Sequence, residues 1–232
     1  QVDGKWGYVS GTGRITVVPA YDGADDFSEG LAAVQMGLEW GYIDHSGSMA
    51  VPARFRIAGR FSEGLAPVRG SDAGALYGFI DGSGNEVIAA QFELAKSFSE
   101  GFAAVRVAGQ WGFVSKDGTL VVEPTYSDAR SFSDGLAAVS VDPEYLRDRL
   151  GMDPSTNHDV FGYIDSSGSF VVTPRFADAR PFRHVQIDDF FTVPLGGYVG
   201  LPAAPVMQVF TVVNLGAHRS DQDIRQGHLM FF

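Results

Sequence analysis

Apolar and polar positions along this 232-residue chain fall into short runs broken by glycine-bearing turns, not into a helical period. The runs Leu31-Ala32-Ala33-Val34 and Trp40-Gly41-Tyr42-Ile43-Asp44 are rich in aliphatic and aromatic residues and flank a turn at Gly37. They predict two adjacent antiparallel strands. The next turn, Asp44-His45-Ser46-Gly47, sets an Asp where its side chain caps the turn and a Gly where the backbone needs positive φ. A third strand follows, seen as Ile15 to Val18 and again as Leu120 to Glu123, and Pro19, Pro124 or Pro174 is expected to end it because proline removes a ladder donor. The segment from Tyr21 to Gly30 has apolar residues at intervals of three, which fits neither a regular strand nor a long helix. It reads as a tight crossing with room for a short fourth strand.

This pattern recurs. An aromatic-glycine pair stands at Trp6-Gly7, Trp40-Gly41, Tyr77-Gly78, Trp111-Gly112 and Phe161-Gly162. Counting from each aromatic, Gly recurs at +7, an aromatic at +15, Ala at +18 and Phe at +21 (Phe27, Phe61, Phe98, Phe132, Phe182). Shared offsets make the chain a tandem repeat, and single units of this size are too thin to bury an apolar face alone. The aromatics are therefore expected to form a core shared between units, with a row of carbohydrate-stacking platforms as the second reading. The expected fold class is all-β, a series of antiparallel β-meander repeats. Because the first unit lacks an incoming strand and the last lacks an outgoing one, a propeller-like ring is favoured and an open β-solenoid is the alternative. Residues 1–182 form the repeat region, and 183–232 are a non-repeat C-terminal segment that closes the ring through a strand at Val209 to Val213 or caps the array.

Successive aromatic-glycine pairs lie 34, 37, 34 and 50 residues apart, so insertions collect in the turn before the aromatic-glycine strand. The longest opens with Asp142-Pro143-Glu144, an N-cap, a first-turn proline and an early acid, and Gly151 ends it. A helix of about two turns would put Leu146 and Leu150 on one face. That face either docks back on the sheet or belongs to a partner-binding protrusion, for which Tyr145, Arg147, Arg149, Met152 and His158 are the candidate contacts.

The Trp-Gly-Tyr-Ile-Asp strand, the turn Gly, the proline-bearing strand and the Phe-Ser-Glu-Gly-Leu-Ala-x-Val link resemble the bacterial WG repeat family over residues 4 to 182. The resemblance implies β-rich, propeller-like modules, often appended to other domains, with no common catalytic residue. Tyr77 and Phe161 replace the signature Trp, and the fifth copy lacks the Gly and Leu-Ala-x-Val ending.

Composition narrows the chemistry. Lys and Arg total 17 against 28 Asp and Glu, a formal charge of -11, which argues against a nucleic-acid backbone as partner. Without cysteine there is no disulfide framework or thiolate metal site, and the compartment stays open. The start at Gln1, without Met, reads as processed or truncated. Residues Phe190 to Ala217 carry no charge, but Pro194, Pro202, Pro205 and four glycines argue against a membrane-spanning helix.

Acidic residues at +23 (Glu29, Glu63, Glu100, Asp134) are expected to cap their own turns or pair with a neighbouring Arg or Lys; calcium or a cationic partner is the sharper reading. His45 and His158 have no partner fixed by sequence. His184 with Asp188 and Asp189, and His218 with Asp221, Asp223 and His228, match no defined metal spacing. No phosphate loop or nucleophile elbow is present, and no cofactor is implied. The expected function is a non-enzymatic recognition or scaffolding module for a protein or peptide, with a carbohydrate-active or metal-dependent enzyme using rim or tail carboxylates as the alternative.

Overall fold

The computed structural model describes residues 1–153 and 159–180. The expected strand at Val209 to Val213 and both tail clusters of His and Asp lie outside these residues.

The expected hairpins are present. Strands β1 (Trp6–Val9) and β2 (Ile15–Tyr21) make a two-stranded sheet. Next come β3 (Gly23–Ala24), β4 (Leu31–Met36), β5 (Glu39–Asp44) and β6 (Met49–Ala58), followed by β7 (Ala66–Gly70), β8 (Tyr77–Ile80) and β9 (Glu86–Phe92). A four-stranded sheet holds β10 (Leu94–Ala95), β11 (Phe102–Val107), β12 (Gln110–Ser115) and β13 (Leu120–Tyr126). Another holds β14 (Asp128–Ala129), β15 (Ala137–Val141), β16 (Val160–Ile164) and β17 (Phe170–Phe176), with helix α1 (Pro143–Leu150) inserted between β15 and β16. Every pairing is antiparallel between neighbours in sequence. The register of β4 on β5 runs from Leu31↔Asp44 to Met36↔Glu39, closed by Gly37 at φ 65°.

The short fourth strand expected in the linker is present as β3, β10 and β14, and each pairs with the strand that follows it, as in Ala24↔Val34. A sheet is therefore offset from the sequence repeat, because the end of one repeat supplies the first strand of the next sheet. In the second copy no bend intervenes: β6 pairs with β5 through Val51 and with β7 through Ala58, joining two meanders into one seven-stranded sheet. Among the described residues no sheet closes on itself.

Proline does not end the third strand. β2, β13 and β17 run through Pro19, Pro124 and Pro174 to the +15 aromatic. Trp111 pairs with Tyr126 and Phe113 with Val122, so Glu123, Pro124 and Thr125 bulge opposite the lone Gly112. A bulge tolerates proline because its residues leave the ladder. The bulged backbone lies over the glycine: a Cβ at Gly7, Gly41, Gly78, Gly112 or Gly162 would stand 2.5–2.6 Å from the carbonyl oxygen of Val17, Val51, Ile88, Val122 or Val172. The second letter of the pair is thus fixed by close approach of two backbones.

The core is centred on the +21 phenylalanines, each packed on the +2 aromatic of its own copy. Phe61, Phe98 and Phe132 are each 2% exposed, and their rings meet Tyr42, Phe79 and Phe113 at centroid distances of 4.8–4.9 Å, edge to face. Burial of such a ring contributes about 2–3 kcal/mol, with up to about 1 kcal/mol more from the edge contact. The signature aromatic is less uniform: Tyr77 and Trp111 are buried, Trp40 is half-buried and Trp6 is 41% exposed. Between units, a Cβ at the turn glycines Gly47, Gly118 and Gly168 would meet Val17, Ile88 and Val122 of the preceding unit at 3.2–3.3 Å. Their φ values of 83°, 85° and 82° add the conformational demand read from sequence.

Candidate functional site

Chemistry-bearing side chains gather along the seams between units. Each Ser-acid-Gly turn has both central residues at positive φ, 52° and 84° at Glu29 and Gly30, and its flanking residues exchange backbone hydrogen bonds, Ser28 with Leu31. This is the two-residue hairpin of the I′ kind, in which Asn, Asp or Gly is normally preferred. Glu is retained at +23 because its carboxylate reaches the next unit. Glu29 accepts from the backbone N–H of Glu63 (2.6 Å) and Gly64 (2.8 Å), Glu63 from Gly101 (3.0 Å) and Glu100 from Gly135 (2.9 Å). For Glu29, Glu63 and Glu100 the expectation that the acids cap their own turns is corrected, since each caps the following turn about 35 residues away, while the expected pairing with a neighbouring base is met at Glu63. The preceding serine acts in parallel, with Ser28, Ser62 and Ser99 Oγ donating to the carbonyls of Phe61, Phe98 and Phe132 at 2.7–2.8 Å. Lys116 Nζ also meets Glu63 at 3.1 Å. Burial raises the Glu63 pKa, but Lys116 and the Gly101 amide outweigh it and hold the carboxyl below its usual range.

The +7 turns follow their sequence reading. Asp44 accepts from the backbone N–H of Ser46 (2.8 Å) and Ser48 (3.0 Å), and Asp81 and Asp165 do the same in their copies. In the fourth copy the carboxylate moves to Asp117, which accepts from Ser115 Oγ (2.5 Å) and Thr119 N–H (3.1 Å). Hydrogen bonds from these side chains and amides depress the pKa of all four aspartates.

The linkers carry an ionic row. Arg60 bridges Asp25 and Asp26 of the preceding unit, with Nε at 2.9 Å from Asp25 and Nη2 at 2.8 Å from Asp26. Lys96 donates to the Ala129 carbonyl at 2.5 Å and lies 4.9 Å over the Trp111 ring, while Arg130 reaches Asp178 at 3.4 Å. Burial lowers the Lys96 pKa against the opposing pull of Asp128. His45 stacks on Phe27 at 4.1 Å. Among the described residues no group of three or more His, Asp or Glu stands close enough to hold a metal ion.

The insertion helix forms as read. Asp142 accepts from Tyr145 N–H at 2.7 Å, Pro143 occupies the first turn, and Gly151 ends the helix in the left-handed region. Leu146 is 4% exposed in the core shared by the β10–β13 and β14–β17 sheets, with Tyr145, Leu150 and Met152 packed against the same cluster. Tyr145 meets Tyr126 and Phe170 at 6.0 and 6.5 Å. Arg147 and Arg149 face solvent. Of the candidate contacts, then, Tyr145 and Met152 sit in the helix's docking side, Arg147 and Arg149 in its outer side, and His158 lies outside the described residues. The seam network was missed from sequence, although the joint recurrence of Ser at +22 and an acid at +23 was its visible signal.

No helix of the described residues is long and apolar enough to cross a membrane. Comparison with curated proteins finds no match. Among solved structures, a crystal structure described as the eukaryotic initiation factor is similar at 13% identity and a TM-score of 0.46, covering 73% of this chain and 47% of its own. The chain thus spans about half of that structure's length. A protein of unknown function from Bacteroides caccae is similar at 14% identity and a TM-score of 0.34, covering 75% of this chain and 73% of its own. The family profile described as WG containing repeat matches residues 6–37, 40–69, 77–111, 111–142 and 161–184, one for each aromatic-glycine copy, and the chain belongs to that family.

Proposed function

We propose that this chain is a non-enzymatic recognition or scaffolding module that binds a protein or peptide, with its sheets set in a propeller-like ring. The observation carrying the reading is the insertion helix: Leu146 is seated in the core, so the exposed Arg147 and Arg149 are presented from a fixed backbone. A preorganised surface loses little conformational entropy on binding. The seam carboxylates support the same reading, because Glu29, Glu63 and Glu100 are committed to backbone amides.

Deleting the insertion would uncover Tyr126 and Phe170, so the cleaner test is the double variant Arg147→Glu, Arg149→Glu. Capture of a partner from the native organism should be lost while the melting temperature is kept. Retained capture, or hydrolysis by the purified protein across a glycan panel, would overturn the reading. A rod-like scattering profile would replace the ring with the open solenoid.

A further inference from the structure

In copies two to five the signature aromatic ends a row of three residues that face one another across the strands. Ile57, Arg69 and Tyr77 form one such row, Leu94, Arg106 and Trp111 the next, and Asp128, Ser140 and Phe161 the last. Each of these three rings has a cation against it. The Arg69 guanidinium stands 5.7 Å from the Tyr77 centroid, Lys96 Nζ 4.9 Å from that of Trp111, and the Arg130 guanidinium 5.7 Å from that of Phe161. Lys96 and Arg130 both occupy the +19 position of the copy before the ring they cover.

The second copy has the row without the cation. Gly23, Gln35 and Trp40 align there, so Gln35 stands where Arg69 does in the third copy, and the +19 residue of the preceding copy is Asp25. Among the described residues no Lys or Arg lies over the Trp40 ring. The difference follows from the identity of two internal residues, Gln35 and Asp25. Cations nearby are committed elsewhere: Arg60 bridges Asp25 and Asp26, and Lys5 pairs with Asp22 at 2.5 Å. Three carboxylates of segment 22–26 thus face two cations. A Cβ at Gly23 would stand 3.0 Å from Trp40 Cη2, so the ring rests on bare backbone, and it stays half-buried where Tyr77 and Trp111 are each 8% exposed.

We propose that Trp40, beside the carboxylates of segment 22–26, receives a lysine or arginine side chain of a partner peptide, which fills over this ring the position that Lys96 holds over Trp111. The negative face of the indole attracts the cation, and the surplus carboxylate raises its local concentration. A formal charge of -11 on the chain favours a basic partner segment at this site. The inference rests on the recognition-module reading and names the chemistry of a partner for it at a surface separate from helix α1.

The probe is the end-blocked peptide Gly-Ser-Lys-Ser-Gly, titrated into the isotope-labelled full chain while the indole N–H resonances of its three tryptophans are followed. A saturable shift is expected at Trp40 and none at Trp111, whose ring Lys96 already covers. Replacing the lysine of the peptide by norleucine should weaken binding about fivefold, the worth of one exposed cation–π contact. Asp25→Lys copies the Lys96 arrangement within the chain and should abolish the Trp40 shift, because the ring then has a cation of its own. An unmoved Trp40 resonance, equal shifts at Trp40 and Trp111, equal binding of the norleucine peptide, or unaltered binding by folded Asp25→Lys protein would overturn the proposal. The Arg147→Glu, Arg149→Glu protein should bind the peptide normally, so failure of the helix reading and failure of this one give different results.

Discussion

At the residue scale, the two glycine series answer different demands. The +7 glycines need positive φ, which a turn ending in Gly announces locally. The glycine of the aromatic-glycine pair has no such φ and is required only because a bulge three residues wide passes over it, a relation between positions some ten residues apart in the chain. Gly112→Ala would drive its methyl group to 2.5 Å from the Val122 oxygen and should destabilise the protein by about 2–3 kcal/mol in denaturant unfolding. Gly11→Ala, where an added Cβ meets nothing within 4 Å, should change stability by less than about 0.5 kcal/mol. Similar losses at both sites would mean that chain entropy, not backbone approach, explains the signature glycine.

At the element scale, strands and turns were readable because alternation, turn glycines and linker periodicity are local. The helix was readable for the same reason, through Asp142, Pro143 and Gly151. Its orientation was not. Two leucines on one face fit a docked helix and a protrusion equally until the apolar partners Tyr126 and Phe170 are located. Leu146→Ala should therefore cost about 2–4 kcal/mol, while Arg147→Glu with Arg149→Glu should shift unfolding by no more than about 0.5 kcal/mol. A neutral Leu146→Ala would show that the helix is not seated. The prolines have the same origin: Pro19, Pro124 and Pro174 locally predict a strand end, and the bulge that admits them exists only opposite a glycine on the paired strand.

At the scale of the whole molecule, copies joined by short bonds should respond to pH together. The turn aspartates Asp44, Asp81, Asp117 and Asp165 have depressed pKa values, so their stabilisation is full above the unfolded carboxylate value near about 4 and is lost as pH falls below it through the folded values. Tyrosines act at the other end. Burial, with smaller help from Asp25, pushes Tyr8 up to about 12, and burial raises Tyr42 and Tyr126 further. Their hydroxyls stay protonated in the fold, so this contribution holds below the unfolded value near about 10 and is lost as pH rises above it. Melting temperature should thus form a plateau that falls below about pH 4 and again above about pH 10; a flat profile to about pH 12 would contradict the burial of these rings. The sequence by itself determined the number of copies, the strands, the turn chemistry and the family, because each is written in residues close along the chain at repeating offsets. Only the tertiary structure decided that a sheet borrows its first strand from the preceding copy and that Glu29, Glu63 and Glu100 cap their neighbours. These are contacts between copies, and a repeat whose copies look alike carries no mark of which copy a side chain will touch.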